Sequence, residues 1–101
     1  MDAFEFIREK VSQEELLAQL AEEASELTHA ALKLRRVYGG TNPTPVKRSE
    51  AFSNLKEEIA DVLLLLEVLH LGEHEHISEY YKIQRGKLDR WVQRLLEAEE
   101  G

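Results

Sequence analysis

Apolar residues recur every three or four positions along most of the chain, a spacing typical of amphipathic α-helices. One such stripe runs from Leu16 to about Val37, and the capping-box pattern Ser12-x-x-Glu15 precedes it. A cluster of Gly, Pro and Asn at residues 38–48 then breaks the pattern. The sequence therefore predicts a first long helix whose apolar stripe consists of Leu16, Leu20, Ala24, Leu27, Ala31 and Leu34.

A second helix is predicted after this break, from Ser49 as its N-cap to about Leu71. Apolar residues cover most of its circumference, so periodicity alone separates its faces poorly. The main core face is predicted to consist of Phe52, Leu55, Ile59, Leu63, Leu66 and His70. We expect Leu64, Leu65 and Val68 to extend the apolar surface and to lie partly exposed in an isolated chain. Exposed apolar patches mark interfaces, so an oligomer is expected.

A third helix is predicted after Gly72 and the polar run EHEH, and a short amphipathic helix is predicted at residues 3–10. No segment shows the alternating pattern of a strand. The predicted fold class is therefore all-α: a helical bundle of three long helices plus a short N-terminal helix, completed by oligomerisation. We expect a single domain over residues 1–101. The apolar face of the third helix is predicted to contain Ile77, Tyr81, Leu88, Trp91 and Leu95.

Composition and charge narrow the classes of function. The net charge is −7, with 20 acidic residues against 13 Lys and Arg, which argues against binding a nucleic acid duplex. The absence of cysteine excludes disulfides and thiolate zinc sites, and a cytoplasmic protein is expected. The apolar runs are too short and too charged to span a bilayer, and the first ten residues lack the features of a signal peptide, so no membrane partner is expected.

Two pairs of acidic residues stand out because they border apolar helix faces. Glu23 and Glu26 lie along one edge of the first stripe, and Glu58 and Asp61 lie together on the second helix. An antiparallel packing of the two helices would bring the four carboxylates together. They would then repel one another unless some took up protons or a hard cation such as Mg²⁺ bound them. Such pairs also occur on solvated helix faces, and the residues alone leave both interpretations open.

The two motifs EEASE (Glu22–Glu26) and EIAD (Glu58–Asp61) resemble the EExxE…ExxD signature of the MazG-type all-α nucleoside triphosphate pyrophosphohydrolases. The similarity extends over about residues 12–96 and includes the segments AALKLRR and TNPTP. It implies an enzyme, a hydrolase that cleaves a (d)NTP between the α and β phosphates to give a nucleoside monophosphate and pyrophosphate. It also implies a homodimer or homotetramer. The implied catalytic residues, which would hold Mg²⁺ or Mn²⁺, are Glu23, Glu26, Glu58 and Asp61; Glu22 is expected to be solvated or to act as their outer partner.

Basic residues are candidates for binding the phosphates of such a substrate. Lys87, Arg90 and Arg94 lie close together on the third helix beside Trp91, and Lys33 lies on the same side of the first long helix as Glu26. An ordinary basic helix face, with Trp91 in the core, is the alternative interpretation.

A zinc site at His70, His74 and His76 is not expected, because Gly72 interrupts the helix there; a solvated loop is predicted instead. The alternative function is a catalytically decayed MazG-like oligomer that acts as an interaction module through its dimer surface. Base and sugar preference stay open.

Overall fold

The computed structural model describes residues 2–39 and 41–101, and it confirms the all-α prediction. No strand occurs in this part of the chain. The chain divides into two compact units, Met1–His70 and Leu71–Gly101, so the single domain over residues 1–101 stays a prediction. The described helices are α1 (Ala3–Lys10), α2 (Gln13–Gly39), α3 (Arg48–Val68) and α4 (His74–Glu100).

The first two helices begin at side-chain caps. The Asp2 carboxylate accepts a hydrogen bond from the Glu5 backbone N–H at 2.8 Å, and the Ser12 hydroxyl accepts one from the Glu15 N–H at 3.2 Å. Such caps satisfy backbone donors that have no partner inside a helix. The predicted short N-terminal helix and the predicted start of the first long helix are both confirmed.

Helices α2 and α3 pack against each other, and α1 packs on α3. The α2–α3 pair is antiparallel, because the neighbours of α2 lie at lower positions on α3 as the chain advances: Glu26 lies near Glu58, and Lys33 lines the same cleft as Asn54.

A small apolar core closes one end of this helix pair. Leu16, Leu65 and Val68 are its buried members. Five partly buried side chains complete it, from α1, the α1–α2 junction, α2 and the residue after α3: Phe4, Ile7, Val11, Leu20 and Leu69. Leu34 and Ala51 are also buried, and both lie near the connection between α2 and α3. The apolar core is therefore concentrated at the ends of the pair.

The predicted core face of the second helix is wrong only in part: Leu55 and Leu66 are half-buried, and Leu64 is exposed as predicted. Phe52, Ile59 and Leu63, which the sequence predicts to lie in the core, are exposed. Leu65 and Val68, expected to face water in part, are instead among the most buried residues of the chain. The cause is the near-uniform apolarity of this helix, since a helix that is apolar all round can pack with more than one rotation.

The ends of α3 also differ from the prediction. Its N-cap is Lys47 rather than Ser49, without a side-chain capping bond. The helix ends at Val68 rather than near Leu71, because the following backbone leaves the helical region at His70, whose φ is 60°. A left-handed residue just past a helix is a common terminator.

The second unit is described by itself. Helix α4 begins at His74, so His74 and His76 lie in a helix and not in the predicted loop. The Tyr80 hydroxyl donates to the Leu71 carbonyl at 2.6 Å, and Arg85 pairs with Asp89 at 3.3 Å. The predicted third long helix is confirmed. Across residues 2–39 and 41–101, no helix combines the length and apolarity needed to cross a membrane.

Candidate metal centre

The four carboxylates lie in the middle of the α2–α3 pair. Glu23 and Glu26 are three residues apart on α2, and Glu58 and Asp61 are three residues apart on α3, so each pair shares one helix face. The buried residues of α3 flank its acidic pair, with Ala51 on one side and Leu65 on the other. The acids therefore lie within the inward-facing side of α3. The sequence predicts them instead at the border of its apolar face.

The structure brings these four side chains into one cluster. Each contributes a carboxylate oxygen, and the four oxygens all lie within 4.8 Å of one another. Glu23, Glu58 and Asp61 are half-buried, and Glu26 is exposed. One face of the cluster is therefore open to water, and a ligand can approach there.

Two of the carboxylates are in an environment that disfavours their charge. Burial, together with repulsion from Glu26 and Asp61, raises the pKa of Glu23 above its usual 4.5. Burial and repulsion from the same two neighbours raise the pKa of Glu58 as well. Desolvation and nearby like charge both favour the protonated form of an acid. The cluster therefore favours any ligand that supplies positive charge.

The donor set fits a hard divalent cation. One oxygen of Glu23 and one of Glu58 are buried without a hydrogen-bond partner, and buried polar atoms of this kind call for one. Mg²⁺ binds carboxylate oxygens at about 2.0–2.1 Å, so two oxygens on one ion lie at most about 4.2 Å apart. The spread of up to 4.8 Å is only slightly wider. A small side-chain adjustment would let the cluster close on an ion.

Comparison with known proteins identifies a family for most of the chain. Residues 11–84 match the MazG nucleotide pyrophosphohydrolase domain family. The chain belongs to the MazG family. The match includes all four clustered acids and most of the helical part of the chain. No curated protein and no solved structure gives a significant match.

Lys33 of this MazG chain lies close to the acidic cluster. It is half-buried on α2 and lines a cleft that also contains Glu26 and Glu58. His29, Arg36 and Asn54 line the same cleft, and sequence analysis missed all three. Their spacing could have identified them as neighbours of the acidic residues. His29, Lys33 and Arg36 continue the side of α2 that bears Glu26, and Asn54 lies one turn before Glu58.

The other predicted substrate-binding residues lie on α4. Lys87, Arg90, Arg94 and Trp91 are all exposed, and their role in the MazG chain stays a prediction. Glu22 is exposed, as expected for a solvated residue. Within the described residues, the group suited to a metal ion is formed by carboxylates alone and includes no histidine.

Proposed function

We propose that this MazG chain hydrolyses a nucleoside triphosphate between its α and β phosphates. The observation that carries the proposal is the four-carboxylate cluster at the centre of the α2–α3 pair, with two buried oxygens that lack partners. The products would be a nucleoside monophosphate and pyrophosphate. Family membership supports the class of reaction, and the cluster supports metal dependence.

Glu23, Glu26, Glu58 and Asp61 would hold Mg²⁺ or Mn²⁺ in this reaction. When bound, the metal would supply positive charge for the phosphates and acidify the attacking water. The three half-buried carboxylates would hold their positions because α2 and α3 pack on both sides of them. Glu26, the exposed member, would lie on the side from which substrate enters.

The chemical step would be a substitution at the α-phosphorus. An oxygen of water would bond to that atom, and the bond to the α–β bridging oxygen would break. Pyrophosphate would leave with the bridging oxygen, and the proton lost by the attacking water would pass to the surrounding solvent. Since such transition states carry spread negative charge, positioning and electrostatic stabilisation would provide most of the catalysis.

The test is pyrophosphate release from a panel of canonical and modified (d)NTPs, with and without Mg²⁺. Glu58→Gln and Asp61→Asn should remove most of the turnover. Glu57→Gln is the matched control for the first variant, because Glu57 is adjacent in sequence, exposed and outside the cluster. Full turnover by Glu58→Gln would contradict the assignment. Absence of pyrophosphate release by the parent protein on every substrate would favour the decayed interaction module.

We further propose that the chain forms a homodimer or homotetramer. Phe52, Ile59 and Leu63 lie on one face of α3 and are exposed, and this group is called the outer α3 face below. Several exposed apolar residues on one helix face are typical of interfaces. The occupant proposed for this face is a second copy of the chain. A cytoplasmic location stays a prediction.

A further inference from the structure

A cleft of about 360 Å³ begins at the acidic cluster and is lined by residues of α2 and α3. Glu26 and Glu58 belong to both the cluster and the cleft. The remaining lining residues define what we call the basic cleft: His29, Ala30, Lys33, Arg36 and Asn54.

The basic cleft brings two cationic side chains, Lys33 and Arg36, together in an acidic protein. His29, Lys33 and Arg36 follow one another at spacings of four and three residues, so they lie on one face of α2. Among the described residues, neither Lys33 nor Arg36 forms a salt bridge, although the chain has a net charge of −7. Two cations without a carboxylate partner are therefore available to an anionic ligand.

The lining favours phosphate groups over a nucleobase. Among the described residues, no Phe, Tyr or Trp lines the cleft, and the apolar surface of its lining is limited to Ala30. A base would need a broader stacking or apolar surface than the His29 ring and Ala30 provide. Arg and Lys bind phosphate oxygens through charge-assisted hydrogen bonds, and the Asn54 amide can donate as well.

The position of Lys33 links the cleft to the site of reaction. Lys33 follows Glu26 by two helical turns, about 10 Å along the axis at 1.5 Å per residue. Side chains of a helix point back toward its N-terminus, so the long Lys33 side chain extends toward the acidic cluster. A phosphate chain that reaches from the cluster into the cleft would pass His29 and then meet Lys33 and Arg36 in turn.

We infer that the basic cleft binds the β and γ phosphates of the substrate, which leave as pyrophosphate. This inference rests on the proposed hydrolysis between the α and β phosphates. Lys33 and Arg36 contact the pyrophosphate portion, and Asn54 donates a hydrogen bond to it from α3. The nucleoside then lies outside the basic cleft. Substrates that lack the terminal phosphates lose these contacts, so the cleft selects triphosphates over monophosphates.

The test is calorimetric binding of inorganic pyrophosphate in the presence of Mg²⁺. Lys33→Gln and Arg36→Gln remove one charge each and keep much of the side-chain length. Arg35→Gln is the matched control, since Arg35 is exposed, lies between the two and does not line the cleft. We expect about tenfold weaker binding for each cleft variant, equivalent to losing about 1.4 kcal/mol, and a change of less than about twofold for the control.

The metal-induced rise in melting temperature provides the second readout. It should be the same in all three variants, because none of these residues is a proposed metal ligand. Equal pyrophosphate affinity in the cleft variants and the control would overturn the inference, as would absence of pyrophosphate binding by the parent protein.

The outcomes separate this inference from the proposed function. If the protein releases pyrophosphate from a (d)NTP but the cleft variants bind pyrophosphate normally, the phosphate-binding role of the basic cleft is wrong and the proposed hydrolysis is supported. If no (d)NTP is hydrolysed but pyrophosphate binding depends on Lys33 and Arg36, the phosphate-binding role of the basic cleft is supported and the proposed hydrolysis is wrong.

Discussion

The carboxylates of Glu26 on α2 and Glu58 on α3 approach within 4.8 Å of each other across the helix pair. Their helices pack closely, and apolar residues are buried toward both ends of the pair. The packing at both ends of the helix pair holds the Glu26 and Glu58 carboxylates close together at the middle of the pair. This arrangement lowers the stability of the folded chain in the absence of a cation and favours the binding of one. Its effects on metal response and on pH-dependent stability can be measured without any substrate.

The first prediction concerns metal binding and stability. Millimolar Mg²⁺ or Mn²⁺ should raise the melting temperature, because a ligand that binds only the folded state stabilises it, by about 2.7 kcal/mol at a hundred times its dissociation constant. Asp61→Asn should reduce this rise strongly in thermal denaturation experiments. Glu57→Gln should retain it, and an unchanged metal response in Asp61→Asn would refute the site.

The second prediction concerns pH. Because the pKa values of Glu23 and Glu58 are raised in the folded state, the folded chain binds protons more tightly there than the unfolded chain. Without metal, the contribution of these groups to stability should therefore decrease as the pH rises from about 4.5 through their raised pKa values. Below a pH of about 4.5 these two carboxyl groups are protonated in both the folded and the unfolded chain, so they add no further stability as the pH falls.

Denaturation across this pH range in the presence of a chelator checks the sign. Glu58→Gln should flatten the decrease relative to Glu57→Gln, which removes a charge outside the cluster. With Mg²⁺ present the stabilisation should instead grow toward neutral pH, since ligation requires deprotonated carboxylates. A Glu58→Gln profile identical to that of Glu57→Gln would show that the cluster does not control this dependence.

The third prediction tests which face of α3 is buried. Leu65 is 4% exposed and Leu63 is 58% exposed. Leu65→Ala should lower the free energy of unfolding by about 2–5 kcal/mol, through lost burial and a cavity. Leu63→Ala, measured at a concentration where the chain is monomeric, should change it by about 0.5 kcal/mol or less. Urea denaturation of the two variants shows which face is buried. A larger loss of stability in Leu63→Ala than in Leu65→Ala would support the face predicted from sequence.

The fourth prediction concerns the end of α3. The Arg8 guanidinium of α1 donates through Nε to the Val68 carbonyl at 2.8 Å in a half-buried position. Arg8→Met should cost about 1 kcal/mol, because the carbonyl loses its partner while much of the side-chain bulk is kept. Lys10→Met on the same helix is the control, since Lys10 is exposed and caps no helix. Equal denaturation midpoints for the two variants would show that this bond adds no stability.

The fifth prediction concerns assembly through the outer α3 face. Sedimentation at micromolar concentration should give at least a dimer, and Leu63→Glu should shift the chain toward monomer by placing a charge among apolar contacts. Ser53→Glu adds the same charge in a polar region beside Glu50 and should leave assembly unchanged. A parent protein that sediments as a folded monomer would contradict the proposal.

The sequence by itself determined the helices and the pairing of acids within each helix. The 3.6-residue period, the Ser12 cap and the breaker cluster after Val37 are local signals, so they need no knowledge of packing. The pairs Glu23/Glu26 and Glu58/Asp61 follow from the same period. The catalytic and metal-binding roles of these acids, and the roles of Lys33 and the α4 residues, stay predictions.

Only the tertiary structure decided which side of α3 faces inward. With leucine at four consecutive positions, 63–66, the helix offers apolar side chains in nearly every direction, and burial energy alone does not choose among them. Packing against α1 and α2 selected Leu65 and Val68, which turned Glu58 and Asp61 toward α2. The same rotation placed Asn54 opposite Lys33. Periodicity assigns residues to a face of one helix, but the relative rotation of two helices fixes which faces meet.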